Sequence, residues 1–405
     1  MKLVKMSLLA ATLVASSAFA IDNTKVSGDA KLYYSTADAD DINLFNKAGA
    51  TGQTAARVGI TTDLTEGVSA GVSLTALSTL GLEGQLVNNV WEGTNGTSDS
   101  FWFDEAWIAG TVGKTTGKIG RMKLDTPLVF TETWSIAENT FEAAVVLNSD
   151  IPDTTLVAAY VGGSNGGDAF NRQVIAPMSL TANTNFSQFY NGAFAAGAIN
   201  NSWEPLTVQG WYYHATSLLS TYWAQADLDI AGLQFGAQYV GLSEQASLSN
   251  KSSSAMAAKV GYEMKDTFTI SGAFSKTSAD KTTVQVGANL AASGQSKLYT
   301  EAWWNYGYIT QADTTAINVT VTTPESLTWA ELGLYVTQST TTDGIAAGKD
   351  NELLEATLSA SKSFGPLDTS LVYVMTDAND LNLETAAPDS GKAYNTVQAY
   401  LTYNF

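Results

Sequence analysis

The last ten residues, Thr396 to Phe405, alternate without a break: Val397, Ala399, Leu401, Tyr403 and Phe405 fall on one side, and Thr396, Gln398, Tyr400, Thr402 and Asn404 on the other. That is a strand with one apolar and one polar face. A final strand ending on an aromatic suits a transmembrane β-barrel, in which lipid takes one face, a polar lumen takes the other, and the aromatic joins an interfacial girdle. A soluble sandwich accommodates the same ten residues, so the choice rests on the rest of the chain.

Met1 to Ala20 reads as a secretory signal: Lys2 and Lys5 at the start, an apolar run from Met6 to Val14 too short to span a bilayer, and the small-x-small site Ala18-Phe19-Ala20. The mature chain is expected to be 21–405, a single outer-membrane barrel. Removing the two leader lysines takes the formal charge from −19 to −21 over 385 residues. No later stretch approaches the roughly 18 consecutive apolar residues of a membrane helix, so a spanning chain must close as a barrel. Charged residues make up only 15%, against 34 glycines and 42 aromatics, which fits a wall whose outer face is lipid. Without cysteine there is neither a disulfide framework nor a thiolate metal site. The acidic balance argues against nucleic acid or an anionic membrane surface as a partner and in favour of attracting cations.

From Ile21 onward, alternating segments are joined by connections that are short and long in turn. Val26, Gly28, Ala30, Leu32 and Tyr34 oppose Lys25, Ser27, Asp29, Lys31 and Tyr33, so the first strand carries an ionic inner face. The next strands form a hairpin turning at Asp63 to Gly67. Further tight turns are expected at Gly113 to Gly117, Ser149 to Asp153, Asn200 to Pro205, Asp229 to Gly232, Met264 to Asp266 and Phe364 to Pro366. Long connections are expected at Ser78 to Ser100, Met122 to Thr140, Gly162 to Ser187, Leu242 to Ser253, Thr277 to Ser296, Gln338 to Asp350 and Asp377 to Gly391. This is the rim asymmetry of an outer-membrane barrel, and the count is about eighteen strands with both termini on the short-turn side. Two places leave the count open: Thr310 to Ser326, too long for a tight turn, and Thr369 to Thr376, whose faces are ambiguous.

His214, the only histidine, has Ser217 three residues on, but no nucleophile-elbow motif accompanies it; a rim histidine is the simpler reading and no enzyme is expected. Gly162 to Gly167 lacks the Lys-Ser/Thr of a phosphate loop. The connection Met122 to Thr140 is more informative. A wide barrel is an open channel unless a loop folds inward, and a constriction with acid facing base orders dipolar solutes. Arg57, Arg121 and Lys123 are the basic candidates; Asp125, Glu132, Glu138 and Glu142 are the acidic ones. An ordinary exterior loop is the competing reading. No cofactor is required; oxygen ligands among Asp125, Glu132, Glu138 and Glu142 permit Ca2+, though no EF-hand spacing is present.

The leader, the opening Asn23 to Tyr34, the stretch Lys118-Ile119-Gly120-Arg121-Met122-Lys123-Leu124-Asp125-Thr126-Pro127 and the terminal Tyr403-Asn404-Phe405 together resemble the major outer-membrane porins of Campylobacter-type bacteria, relatives of the substrate-specific porins of pseudomonads. The similarity runs in order through essentially the whole chain. Its most specific piece is Gly120-Arg121 followed by Leu124-Asp125-Thr126-Pro127, which in that family leads into the constriction loop. The resemblance implies an all-β, eighteen-stranded transmembrane antiparallel barrel in the bacterial outer membrane, with Met122 to Thr140 folded inward. It also implies a homotrimer, contact with outer-membrane lipid, and passive diffusion of small hydrophilic solutes with a preference for cations. A channel selective for small carboxylates or amino acids, a barrel-based adhesin and a secreted soluble β-protein are the alternatives.

Overall fold

A computed structural model describes residues 23–39, 42–88, 100–166, 186–291, 294–382 and 391–405. The signal-peptide reading of Met1 to Ala20 lies outside them, as do parts of the connections expected after Ser78, Gly162 and Asp377. Eighteen strands follow in chain order: β1 (Lys25–Ala37), β2 (Ala50–Thr65), β3 (Val68–Ser78), β4 (Ser100–Val112), β5 (Thr115–Met122) and β6 (Phe141–Asn148). Then come β7 (Thr154–Ser164), β8 (Ser187–Trp203), β9 (Leu206–Ala215), β10 (Leu219–Ile230), β11 (Leu233–Glu244) and β12 (Ser252–Met264). The set ends with β13 (Phe268–Thr277), β14 (Thr314–Thr323), β15 (Glu331–Ala346), β16 (Lys349–Phe364), β17 (Leu367–Ala378) and β18 (Tyr394–Asn404).

Each strand pairs antiparallel with its sequence neighbours, and β1 pairs with β18 from Asp29 opposite Asn404 to Ala37 opposite Thr396. The sheet is therefore a closed barrel with no free edge, the condition a β-structure must meet in lipid. The period-2 pattern sets the faces. On β16 and β18, Leu358 and Leu401 are exposed on the outside, while Thr357 and Gln398, on the opposite faces of the same strands, are fully buried inside. Exposed apolar side chains such as Val319, Leu334 and Leu371 continue the outer band. Trp329 and Phe364, with Lys362 over the Phe364 ring, and Phe405 mark its short-turn edge. Large outward apolar groups in water would be a liability; against hydrocarbon they are the solvated face.

Several connections differ from expectation. Gln338 to Asp350 is not a long loop: β15 and β16 run through it and meet at Ala347-Gly348, where Gly348 takes a φ of 77° and donates its N–H to Asp343. Its threonines are loop-like in composition but pair in register, Thr340 opposite Glu352 and Thr341 opposite Asn351. Thr310 to Ser326 holds β14, and Leu242 to Ser253 shrinks to 245–251. The ambiguous stretch Thr369 to Thr376 is part of β17; Leu371 and Tyr373 point out, and Val372 and Val374 are buried inside. Both faces are apolar there because the lumen side is covered, as the bond from Asn305 to inward Thr376 shows (3.1 Å). In place of an expected loop ending at Ser296, the connection between β13 and β14 runs from 278 to 313.

Some wall glycines make room for inward aromatics. A Cβ on Gly71 of β3 would stand 2.5 Å from the Trp107 ring, which also carries the Lys118 ammonium 4.0 Å from its centroid. Gly71→Val is expected to cost about 1–3 kcal/mol through overpacking. The check is the temperature at which the folded, fast-migrating form is lost on heating in detergent, which should fall.

Candidate functional site

Charge gathers on the inner wall where β1, β2 and β4 lie side by side. Asp29 and Lys31 on β1 and Arg57 on β2 face the lumen because each sits one residue out of step with an outward apolar neighbour. On β4 a bulge sets Glu105 opposite Ser73 and Phe103 opposite Leu74, leaving Asp104 between them. The extra residue lets two successive carboxylates reach one guanidinium. Arg57 Nε donates to Asp104 Oδ2 at 2.7 Å, and its Nη2 to Glu105 Oε1 at 2.5 Å and Ser73 Oγ at 3.1 Å.

The segment between β5 and β6 lies against this array. Glu138 accepts from Lys31 at 3.4 Å and pairs with Lys123. Ile136 and Ala137 pack with Tyr33, Ala55, Leu77 and Trp102 of the inner wall. Leu128 donates its N–H to the hydroxyl of Tyr213 on β9 (3.4 Å). Met122 to Thr140 thus touches inward side chains of β1, β2 and β4 at one end and β9 at the other. Burial alone would raise the Glu138 carboxyl, but Lys31 and Lys123 outweigh it and hold it below its ordinary value of 4.5. Its ion pairs therefore contribute fully above about pH 4.5 and are lost as pH falls through the lower folded value. An acid-induced change in conductance below pH 4.5, absent in Glu138→Gln, is the expected result in bilayer recordings.

A second segment, 278–313, meets the first. Phe130 N–H donates to Asn289 Oδ1 (3.2 Å), Asn289 Nδ2 to Phe130 O (3.0 Å), and Leu290 N–H to Leu128 O (2.8 Å). Glu132 is fully buried in this seam. It accepts from Trp134 Nε1 at 2.9 Å, Asn289 Nδ2 at 3.0 Å and Gln295 N–H at 3.2 Å. Trp134 packs edge-on against Trp304, with centroids 5.7 Å apart. The wall anchors 278–313 in turn: buried Glu355 on β16 accepts from Trp304 N–H (3.0 Å) and from Asn305 N–H and Nδ2 (both 2.8 Å). Tyr299 donates to Asp227 on β10 (2.6 Å).

Between the two segments lies a cavity of about 500 Å3, lined by Lys123, Asp125, Phe130, Thr131, Gln295, Lys297 and Glu301 among others. Asp125 pairs with Lys297 across it. Burial pushes the Glu301 carboxyl well above its usual range; Glu132 and Glu355 add to this, while the Ser296 N–H bond and Lys297 oppose it.

The candidates named from sequence therefore separate. Arg57, Lys123 and Glu138 meet inside the barrel, and Asp125 lines the cavity. Glu132 lies inside the seam, where it holds the segments together and does not face water. Arg121 and Glu142 face the other way. Arg121 pairs in register with Ala106 and Glu142, two residues on from exposed Ile119, and bonds Glu142 at 2.9 Å on the outer surface beside Phe103 and Tyr160. They stand outside the wall, so the basic wall expected from Arg57, Arg121 and Lys123 is not one surface; acid and base interleave. His214 sits on β9, and its ring bonds Ser220 at 2.9 Å; Ser217 is in the following turn.

Among the described residues no three or more His, Cys, Asp or Glu side chains converge as metal ligands. Asp125, Glu132 and Glu138, considered for Ca2+, are each held by different partners. The sequence reading passed over Asp104, Glu105, Asn289, Glu301 and Glu355. The crowding of Tyr299, Trp303, Trp304, Tyr306 and Tyr308 just beyond the expected loop was the signal that this segment packs against something.

No family model matches the chain, and no curated protein matches it in sequence. Solved structures do match its fold. The outer membrane protein OpdK of Pseudomonas aeruginosa is 13% identical, with a TM-score of 0.71 over 94% of this chain and 98% of that one. OccK8 (OprE) of the same organism is 14% identical at 0.70, covering 95% and 98%. Acinetobacter baumannii OccAB4 is 10% identical at 0.71, covering 95% and 99%. OpdK has also been crystallised with vanillate. At such identities the likeness establishes a shared barrel.

Proposed function

We propose that the chain is a porin of the bacterial outer membrane that lets small hydrophilic solutes diffuse passively, with a preference for cations, and that it works as a homotrimer. The observation that carries the channel reading is the opposition of faces: apolar side chains meet the surroundings while Asp29, Lys31, Arg57, Asp104, Glu105 and Glu138 share the interior. A dry core would not hold such a group, whereas a water-filled lumen solvates it. Segments 123–140 and 278–313 narrow the passage in this reading. The four carboxylates of that group exceed the three bases Lys31, Arg57 and Lys123, and the chain's formal charge of −19 acts in the same sense. The structural neighbours support the reading, since OpdK is described as an outer membrane protein.

Reconstitution into a planar bilayer under a KCl gradient tests it: the reversal potential should take the sign of cation preference, and absence of conductance would overturn it. A second reading, a channel for small carboxylates or amino acids, draws on the convergence of Lys31, Arg57 and Lys123, which could hold a carboxylate, and on vanillate in OpdK. Competitive block by one such solute class would favour it.

A further inference from the structure

Residues 298–348 contain five carboxylates, Glu301, Asp313, Glu325, Glu331 and Asp343, and no Lys, Arg or His. Asp313 and Glu325 are taken by Lys276 and Lys362. Glu331 is exposed and has no ion pair among the described residues. It shares the inner face of β15 with Gly333 and Tyr335, while Leu334 points outward. Gly333 lets the Tyr335 ring lie down along the strand toward Glu331: a Cβ there would stand 2.5 Å from the ring and 2.7 Å from its hydroxyl.

Over Tyr335 lies Trp303, with ring centroids 4.8 Å apart and planes at 42°. Trp303 is 38% exposed although it lies inside the barrel against an inward residue. Its position is fixed from behind, since the next two residues are bonded through their backbone N–H groups to Glu355, and Trp304 fills the seam with Trp134. A large aromatic surface is thus held rigid and open to lumen water.

We propose that Trp303 and Tyr335, with Glu331 as counter-charge, form a binding platform in the lumen for small organic cations of the quaternary-ammonium type. Aromatic faces attract such cations through the ring quadrupole, and a carboxylate without an ion pair supplies the charge complement. Anionic aromatics are disfavoured by the same carboxylate. This rests on the channel reading above.

The test uses the purified full-length protein in planar bilayers at neutral pH, with phenyltrimethylammonium added to one side in KCl. Wild type should show concentration-dependent block. Trp303→Ala should weaken apparent affinity roughly 5- to 30-fold, between a water-exposed and a desolvated cation–π contact, with KCl conductance retained. Trp303→Phe should keep most of the block, and Glu331→Gln should weaken it about 2- to 5-fold, as for a partly screened charge. KCl conduction without block, or block equal in wild type and Trp303→Ala, would overturn the platform while leaving the channel intact. No KCl conduction at all would remove both.

Discussion

Replacing Glu132 by alanine is expected to loosen the seam between the two inward segments and raise single-channel conductance. The carboxylate is fully buried and takes bonds from Trp134, Asn289 and Gln295; its removal takes the acceptor from Trp134 Nε1 and Gln295 N–H and leaves Asn289 Nδ2 with Phe130 O alone. Each of the two donors left without an acceptor costs about 1–3 kcal/mol if it stays unpaired. The wall does not depend on this seam, so the strain is relieved by parting the segments and not by unfolding the barrel. Openings should become larger and more varied in amplitude, while the folded form survives in detergent. Glu132→Gln, which keeps one acceptor, should be intermediate. Wild-type conductance in Glu132→Ala would mean that the seam does not limit passage.

Arg57→Met should have the second large effect, in two readouts. Asp104, whose side chain is 4% exposed, and Glu105 would lose the cation that both reach. Breaking a buried pair by removing one partner costs about 3–5 kcal/mol; Arg57 retains 23% exposure, which places the loss at the lower end. Thermal resistance in detergent should fall accordingly. The lumen also becomes more negative by one charge, so the cation-to-anion permeability ratio under a KCl gradient should rise. A fall in stability with no change in ratio would make Arg57 a structural residue away from the permeation path.

What the sequence made legible is whatever depends on neighbours along one strand. Leu401 and Thr402, or Ala30 and Lys31, part company because successive side chains point to opposite faces, and no distant contact is needed to say so. The same rule, carried further, would have placed Arg121 correctly: Ile119 is an outward residue, and Arg121 stands two positions later on the same strand. Its charge and its place before a loop mask that parity. The site itself was less legible, because its bonds span long separations. Lys31 meets Glu138 across 107 positions, and Glu132 meets Asn289 across 157. Barrel closure and loop docking bring these together, and neither leaves a periodic trace. Threonine-rich Thr340 to Thr342 misleads in the opposite sense, since loop-like composition does not prevent a paired strand from continuing.

A channel of this kind requires hydrocarbon around the cylinder and water within it. Single cysteines at Leu358, Leu371, Thr402 and Ser271 in the cysteine-free chain, each spin-labelled and reconstituted in lipid vesicles, test it through collision with oxygen and with a water-soluble nickel chelate. Labels at Leu358 and Leu371 should collide with oxygen and be shielded from nickel, and labels at Thr402 and Ser271 should do the reverse. Nickel access at the two leucines with oxygen preference at Thr402 and Ser271 would contradict the account.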